Sequence, residues 1–367
     1  MHMMMIVPSL NLGGAERVAA TLANCFVAKG HEITFALLVD EQTPRLFHLD
    51  PRVRVVCLDI FRVPDGWADR LAGIVRRNAA IRRAFRQASP DVLLSVTDTT
   101  NVRALLAAAG LDIPVVVLEL TDPLHYSIGW LWRGLQPLLY GRAAAVVVQT
   151  QAMADYYARF VPRRRLHIFF NPIDFPQEIP SGARGQDIVY VGRLAPEKNI
   201  PLLFEAFAAC PNAGWRLLLT GSGPEREALE RLAGRLGIAG SVHFLGYVPE
   251  VFPVLAQAAF CVLPSLFEGL PNALCEALVM GTPCVATATS GAKAVIRHGE
   301  NGLLCPVNDA KALAEAMTRL MTDAPLRAEM GEKALALRRD VSLDAVMTRW
   351  SGLLHQVAAR PGSTGRG

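Results

Sequence analysis

Short apolar runs recur along the chain, separated by stretches in which apolar positions return every three or four residues. Met3–Val7 reads as a buried strand, and Ala15–Lys29 as a helix with Val18, Leu22, Cys25 and Phe26 on one face. Gly30 is a natural helix stop before the next strand, Ile33–Val39. Val53–Leu58, Val92–Val96, Val115–Leu118 and Ala145–Val148 continue the series, with helical patterns between several of them. Strands that are apolar throughout, rather than alternating, predict a mostly parallel sheet covered on both faces.

The pattern then restarts. Asn171–Pro176 and Ser181–Gly185 are rich in turn formers and mark a boundary. Beyond it, strands are predicted at Ile188–Gly192, Trp215–Thr220, Val242–Phe244, Phe260–Leu263 and Pro283–Ala286. Helices are predicted at Pro201–Ala209, Glu225–Leu236, Asn272–Met280 and Ala310–Met321. The fold class is therefore α/β, with two facing Rossmann-like, doubly wound domains over residues 1–170 and 171–340. Pro361–Gly367 reads as a frayed tail. In such sheets ligands sit at the carboxyl ends of the strands, so the expected site is an interdomain cleft.

Composition narrows the function classes. With 367 residues, 51% hydrophobic and 19% charged, the chain is neither disordered nor short of material for two cores. No apolar run approaches the roughly 18 residues of a membrane-spanning helix, and Met1–Val7 is too short for a signal peptide. The seven cysteines are odd in number with no C-x-x-C spacing, which argues against a disulfide framework or zinc site and for the cytoplasm. The net charge of +4 is unevenly spread: residues 1–170 carry 19 Lys+Arg against 14 Asp+Glu, while the rest is near balance. Its densest part is Arg70–Arg86, with six arginines around a stripe of Leu71, Ile74, Ile81 and Phe85. Two readings of it stand equal: a solvated helix face, or one that meets anionic lipid or a phosphorylated acceptor.

Four clusters fall at strand ends. Asn11–Arg17 carries Gly13-Gly14 between the first strand and helix, where close backbone approach and a helix start suit an anion. It is neither G-x-G-x-x-G nor a P-loop, which removes the dinucleotide and NTPase fingerprints. Val191–Asn199 holds Arg193 and Lys198 on one turn, able to neutralise a diphosphate. Thr220–Pro224 is a second glycine turn, containing Gly221. Phe267–Ala277 places Pro271 at a helix start that neither Gly269 nor Leu270 can cap, with Glu268 and Glu276 eight residues apart. Eight helical residues rise about 12 Å, too far for the carboxylate pair of a glycosidase. These glutamates are better read as gripping two ends of an extended ligand.

In this order, together with Leu245-Gly246-Tyr247 and Arg297–Leu304, these motifs resemble the family 4 retaining glycosyltransferases (GT-B type, glycosyl transferases group 1). The resemblance covers nearly the whole chain and is strongest over 186–305. It implies a UDP- or GDP-sugar donor, with Arg193 and Lys198 on its diphosphate, Glu276 on the ribose hydroxyls and Glu268 by the sugar. Gly13, Gly14, Gly192, Gly221, Tyr247, Val248, Gly269, Leu270, Pro271 and Asn272 are implied in donor binding. It further implies a first domain that binds the acceptor, a second that binds the nucleotide sugar, and a C-terminal helix near Leu343–Val357 that returns to the first. Retention without a covalent enzyme nucleophile is implied as well. No D-x-D triplet occurs, so no metal or other cofactor is expected, nor is nucleic acid a partner. The chain departs from the family at Ala294, where relatives often carry Glu, and at Lys293 beside it.

In the first half, Glu119–Tyr126 follows a buried strand, and Asp122 and His125 are candidates to orient acceptor or donor sugar. Arg163-Arg164-Arg165 reads as a solvated turn, and Trp130–Arg133 as core or as an interfacial patch beside the arginine helix. The expected activity is sugar transfer to a glycan or polyprenyl-diphosphate-linked acceptor in bacterial cell-surface polysaccharide or glycolipid assembly. A sugar-nucleotide epimerase of the same fold, or a non-catalytic nucleotide-sugar-binding protein, is the alternative.

Overall fold

The computed structural model describes residues 1–11, 13–60, 67–125, 129–179 and 184–359, without the side chains of 67–72 and 130. Leu12, Tyr126, Ser181–Ala183 and the tail Pro361–Gly367 therefore lie outside the described residues, as do the side chains of Arg70, Leu71 and Trp130. The chain divides into two compact units, one of Met1–Pro172 with the segment from Leu343 onward, the other of Ile173–Ser342.

The first unit is built on seven strands, all parallel: β1 His2–Val7, β2 Glu32–Leu37, β3 Arg54–Cys57, β4 Val92–Val96, β5 Val115–Leu118, β6 Ala145–Val148 and β7 Leu166–Ile168. Their spatial order is β3-β2-β1-β4-β5-β6-β7, so the direction of winding reverses between β1 and β4. The uninterrupted apolar character of β1 follows from burial on both faces. Met3, Met5 and Val7 pack with the helices Gly14–Ala28 and Leu343–Ala358. Met4 and Ile6 face the opposite layer, with Phe85 and Val102. In the C-terminal helix, Trp350 is buried edge-on to Phe26 at 6.0 Å between ring centroids.

Two sequence expectations need correction here. The turn Arg163–Arg165 is not simply solvated, because the Arg165 guanidinium donates to the carbonyls of Gly141 (2.9 Å) and Ala143 (3.2 Å). It thereby anchors β7, an edge strand too short to give a sequence signal. Nor is the arginine helix, Trp67–Ala88, uniformly clothed in solvated charge. Ile81 and Phe85 are buried and Arg76, Arg83 and Arg86 exposed, but Arg82 turns inward to the Ala107 and Ala109 carbonyls at 2.7 and 2.6 Å. It closes the C-terminus of the helix Asp98–Ala108, whose last carbonyls lack helical partners. Arg103 of that helix lies over the Trp132 ring, 4.9 Å from its centroid. Among the described residues no helix is long and apolar enough to cross a membrane.

The second unit has six parallel strands: β8 Asp187–Val191, β9 Arg216–Thr220, β10 Val242–Gly246, β11 Phe260–Leu263, β12 Cys284–Thr287 and β13 Gly302–Cys305. Their order, β10-β9-β8-β11-β12-β13, reverses between β8 and β11. β13 begins at the second glycine of the Gly-Glu-Asn-Gly-Leu-Leu stretch and is another strand without its own sequence signal. All seven cysteines are free thiols, five of them buried.

Candidate functional site

In the second unit, the loops that leave β8, β9, β10 and β11 stand side by side, because those strands are consecutive neighbours. Backbone bonds stitch them together. Gly221 N donates to Gly246 O (2.6 Å), Leu194 N to Ser222 O (2.9 Å) and Leu266 N to Glu197 O (2.9 Å). Gly221 is where the packing is tightest: with φ of +129° it adopts a backbone conformation reserved for glycine, and a Cβ there would stand 1.9 Å from the Gly192 carbonyl oxygen. Its evident work is to let two loops close on each other.

Between β8 and β11, at the reversal of strand order, the side chains meet. Lys198 follows β8 on the turn Pro196–Lys198, and Glu268 follows β11. Lys198 Nζ donates to Glu268 Oε1 at 2.6 Å, with only 20% and 11% of the two side chains exposed. The same Oε1 accepts from the buried Ser265 hydroxyl at 2.6 Å. Arg193, largely exposed, pairs with Glu197, and the Tyr190 hydroxyl donates to the Arg193 carbonyl at 2.8 Å. Burial alone would raise the Glu197 carboxyl, but its own amide and the adjacent Arg193 and Lys198 charges outweigh it and hold it below the ordinary range. Two cations are thus gathered where an open α/β sheet binds its ligands, each resting on a carboxylate.

The helix Asn272–Val279 begins directly beyond this point. Pro271 is its N-cap rather than its first residue, and provides no side-chain cap bond. Glu276 is buried in its second turn, with 4% of its surface exposed. Gly269, Leu270 and Asn272 frame the same helix start, while Tyr247 is exposed and Val248 half-buried just past β10. Behind the loop, the Ser290 hydroxyl donates to the Glu268 carbonyl at 3.1 Å. Lys293 lies exposed on the short helix Ser290–Val295.

In the first unit, Gly13 is the N-cap of the helix Gly14–Ala28, and Gly14 is exposed. A Cβ on Gly13 would fall 2.0 Å from Glu16 Oε2, so this helix start has a carboxylate of its own folded over it. At the end of β5, Asp122 is buried; its Oδ1 accepts from Leu124 N at 2.9 Å and its Oδ2 shares a 3.1 Å hydrogen bond with Nδ1 of the half-exposed His125. A buried carboxylate therefore orients the imidazole. One buried group escaped the sequence reading. Glu119, first after β5, accepts from Tyr140 Oη and from Asn101 Nδ2 (2.9 Å). Burial, reinforced by the Asp98 charge, pushes its carboxyl up to about 8. Ser265 and Ser290 were missed as well, since serines near strand ends carry no distinguishing pattern.

Two family models match: residues 13–172 fit a glycosyl transferase 4-like domain, and residues 185–323 fit glycosyl transferases group 1. The chain is 30% identical over 364 residues, 97% of its length and 99% of the relative's, to a Campylobacter jejuni protein. That relative is GalNAc-alpha-(1->4)-GalNAc-alpha-(1->3)-diNAcBac-PP-undecaprenol alpha-1,4-N-acetyl-D-galactosaminyltransferase. In fold this chain is similar to Anabaena HepE in complex with UDP-glucose (TM-score 0.79, 20% identity, 97% of this chain and 99% of that one). It is equally similar to sucrose-phosphate synthase from Thermosynechococcus elongatus (TM-score 0.79, 20% identity, 98% and 99%).

Proposed function

This chain belongs to the family 4, group 1 glycosyltransferases of GT-B fold, and from that premise we propose that it transfers a sugar, with retention and without a metal, from a UDP- or GDP-sugar to a glycan or lipid-linked acceptor. The observation that carries the reading is the seating of Lys198 and Glu268 at the strand reversal of the second sheet, 2.6 Å apart, with Arg193 on the adjoining turn. Departure of a nucleoside diphosphate concentrates negative charge on phosphate, and cations already fixed in position stabilise that charge at little reorganisation cost. Lys198 supplies a point charge and Arg193 a planar fork. Glu276, on the neighbouring helix, is the acceptor for the ribose hydroxyls, and Glu268 for hydroxyls of the sugar.

The Asp122–His125 pair of the first unit is the candidate to orient an acceptor hydroxyl. The name of the Campylobacter relative, which acts on an undecaprenol-diphosphate-linked glycan, supports an acceptor of that class and a place in bacterial surface-glycan assembly. Exposed Arg76, Arg83 and Arg86 with Val75 support a peripheral contact of this helix with an anionic membrane, from the cytoplasmic side. Incubation with radiolabelled UDP- and GDP-sugars and lipid-linked or free glycan acceptors, in the presence of EDTA, tests the reading. An α-linked product from an α-linked donor is expected. Conversion of donor alone into a new nucleotide sugar would identify an epimerase instead.

A further inference from the structure

At the candidate donor site both cations are already engaged by carboxylates. Arg193 rests on Glu197 and Lys198 on Glu268, and the second contact is the more buried. Glu268 Oε1 is fixed from two sides at once, by Lys198 Nζ and by the hydroxyl of the fully buried Ser265, each at 2.6 Å. A diphosphate that takes Lys198 must therefore displace a carboxylate that is already well held. We propose that Glu268 is a specificity-determining residue that favours the sugar-bearing donor over the free nucleoside diphosphate, because its carboxylate, held beside Lys198, meets the extra negative charge of a terminal phosphate in the one and the hydroxyls of a neutral ring in the other. The inference rests on the donor reading above and adds to it a role in rejecting product.

The chemistry differs between the two ligands at one position. A free nucleoside diphosphate ends in a phosphate whose second ionisation adds a negative charge near neutral pH. The nucleotide sugar has a neutral ring there, whose hydroxyls can donate to a carboxylate. Glu268 repels the first and accepts from the second. Once the sugar has left, it can close again on Lys198 and so favour release of the nucleotide.

Calorimetric dissociation constants for UDP, GDP and their sugars, on the full chain and on Glu268→Gln, test this. Glutamine keeps the size and the Ser265 hydrogen bond but loses the charge. Binding of the nucleoside diphosphate should tighten about tenfold, while binding of the nucleotide sugar should not tighten. Unchanged or weaker diphosphate binding, or equal tightening of both ligands, would overturn the inference and leave the donor reading standing. Binding of neither ligand by the unsubstituted chain would overturn both. Should Glu268→Gln fail to fold, Ser265→Ala loosens the same carboxylate, and there diphosphate binding should tighten about threefold; no change would count against the proposal.

Discussion

The Tyr140 hydroxyl donates to the carboxyl of Glu119, a residue with 1% of its surface exposed. Asn101 donates to the same oxygen, and the stacked ring of Tyr157 lies 5.5 Å from that of Tyr140. Burial, then the charge of Asp98, drives the Glu119 carboxyl up to about 8 from the ordinary 4.5. The folded state therefore binds this proton more tightly than the unfolded chain does.

The sign of the resulting pH dependence follows from linkage. The contribution of Glu119 to stability is complete below about pH 4.5 and is lost as pH rises through about 8. Wild-type melting temperature should fall by roughly 3–6 °C between pH 6 and pH 9. In Glu119→Gln, which keeps an acceptor for Tyr140, that slope should flatten. An equally steep slope in the variant would place the titration elsewhere.

Lys198→Ala removes a cation and leaves Glu268, still bonded to Ser265, without a counter-ion. Transition-state stabilisation should drop by about 2–4 kcal/mol, read as kcat/KM for the donor. Arg193→Ala should fall in the same direction but toward the smaller end, because Arg193 is largely exposed. Full transferase activity in either variant would refute the assigned roles.

Glu276→Gln keeps the volume of a buried side chain on the helix Asn272–Val279 while removing its charge. A hydrogen bond to a charged acceptor contributes about 1.5–3 kcal/mol. The KM for the donor should therefore rise roughly 10- to 100-fold, with little change in melting temperature. A thermal-shift series with UDP, GDP and their sugars reads the same loss without an acceptor.

Asp122→Asn removes the carboxylate that orients His125 but keeps a hydrogen-bonding amide. If the imidazole orients the acceptor, kcat should fall about 10- to 100-fold while donor binding, measured by calorimetry, stays constant. Loss of donor affinity in this variant would point to a general folding defect instead.

Gly221→Ala would force a methyl group against the Gly192 carbonyl in a backbone conformation hostile to any Cβ. Destabilisation of about 2–4 kcal/mol is expected, measured by denaturant midpoint. A neutral substitution would show that the two loops can part.

Much of this molecule is legible in one dimension. β4, β5, β6 and β11 coincide with the apolar runs that predict them, because strands buried on both faces must be apolar almost throughout. The restart of the pattern after residue 185 likewise signals a second doubly wound unit, and the order of the glycine, Arg-Lys and paired-glutamate motifs signals the family. What no local pattern holds is the company those residues keep. β7 is too short to stand out and β13 opens on a glycine inside a turn-forming motif, Arg82 and Arg165 look like surface charge until a helix end and a turn appear beneath them, and nothing adjacent to Glu119 marks it as buried beside two tyrosines. Above all, Lys198 and Glu268 are 70 residues apart along the chain and become partners only because β11 is laid down beside β8. Periodicity and turn chemistry act over a few residues and can be read locally; the pairing of strands, and with it the electrostatics of the site, is a property of the assembled sheet.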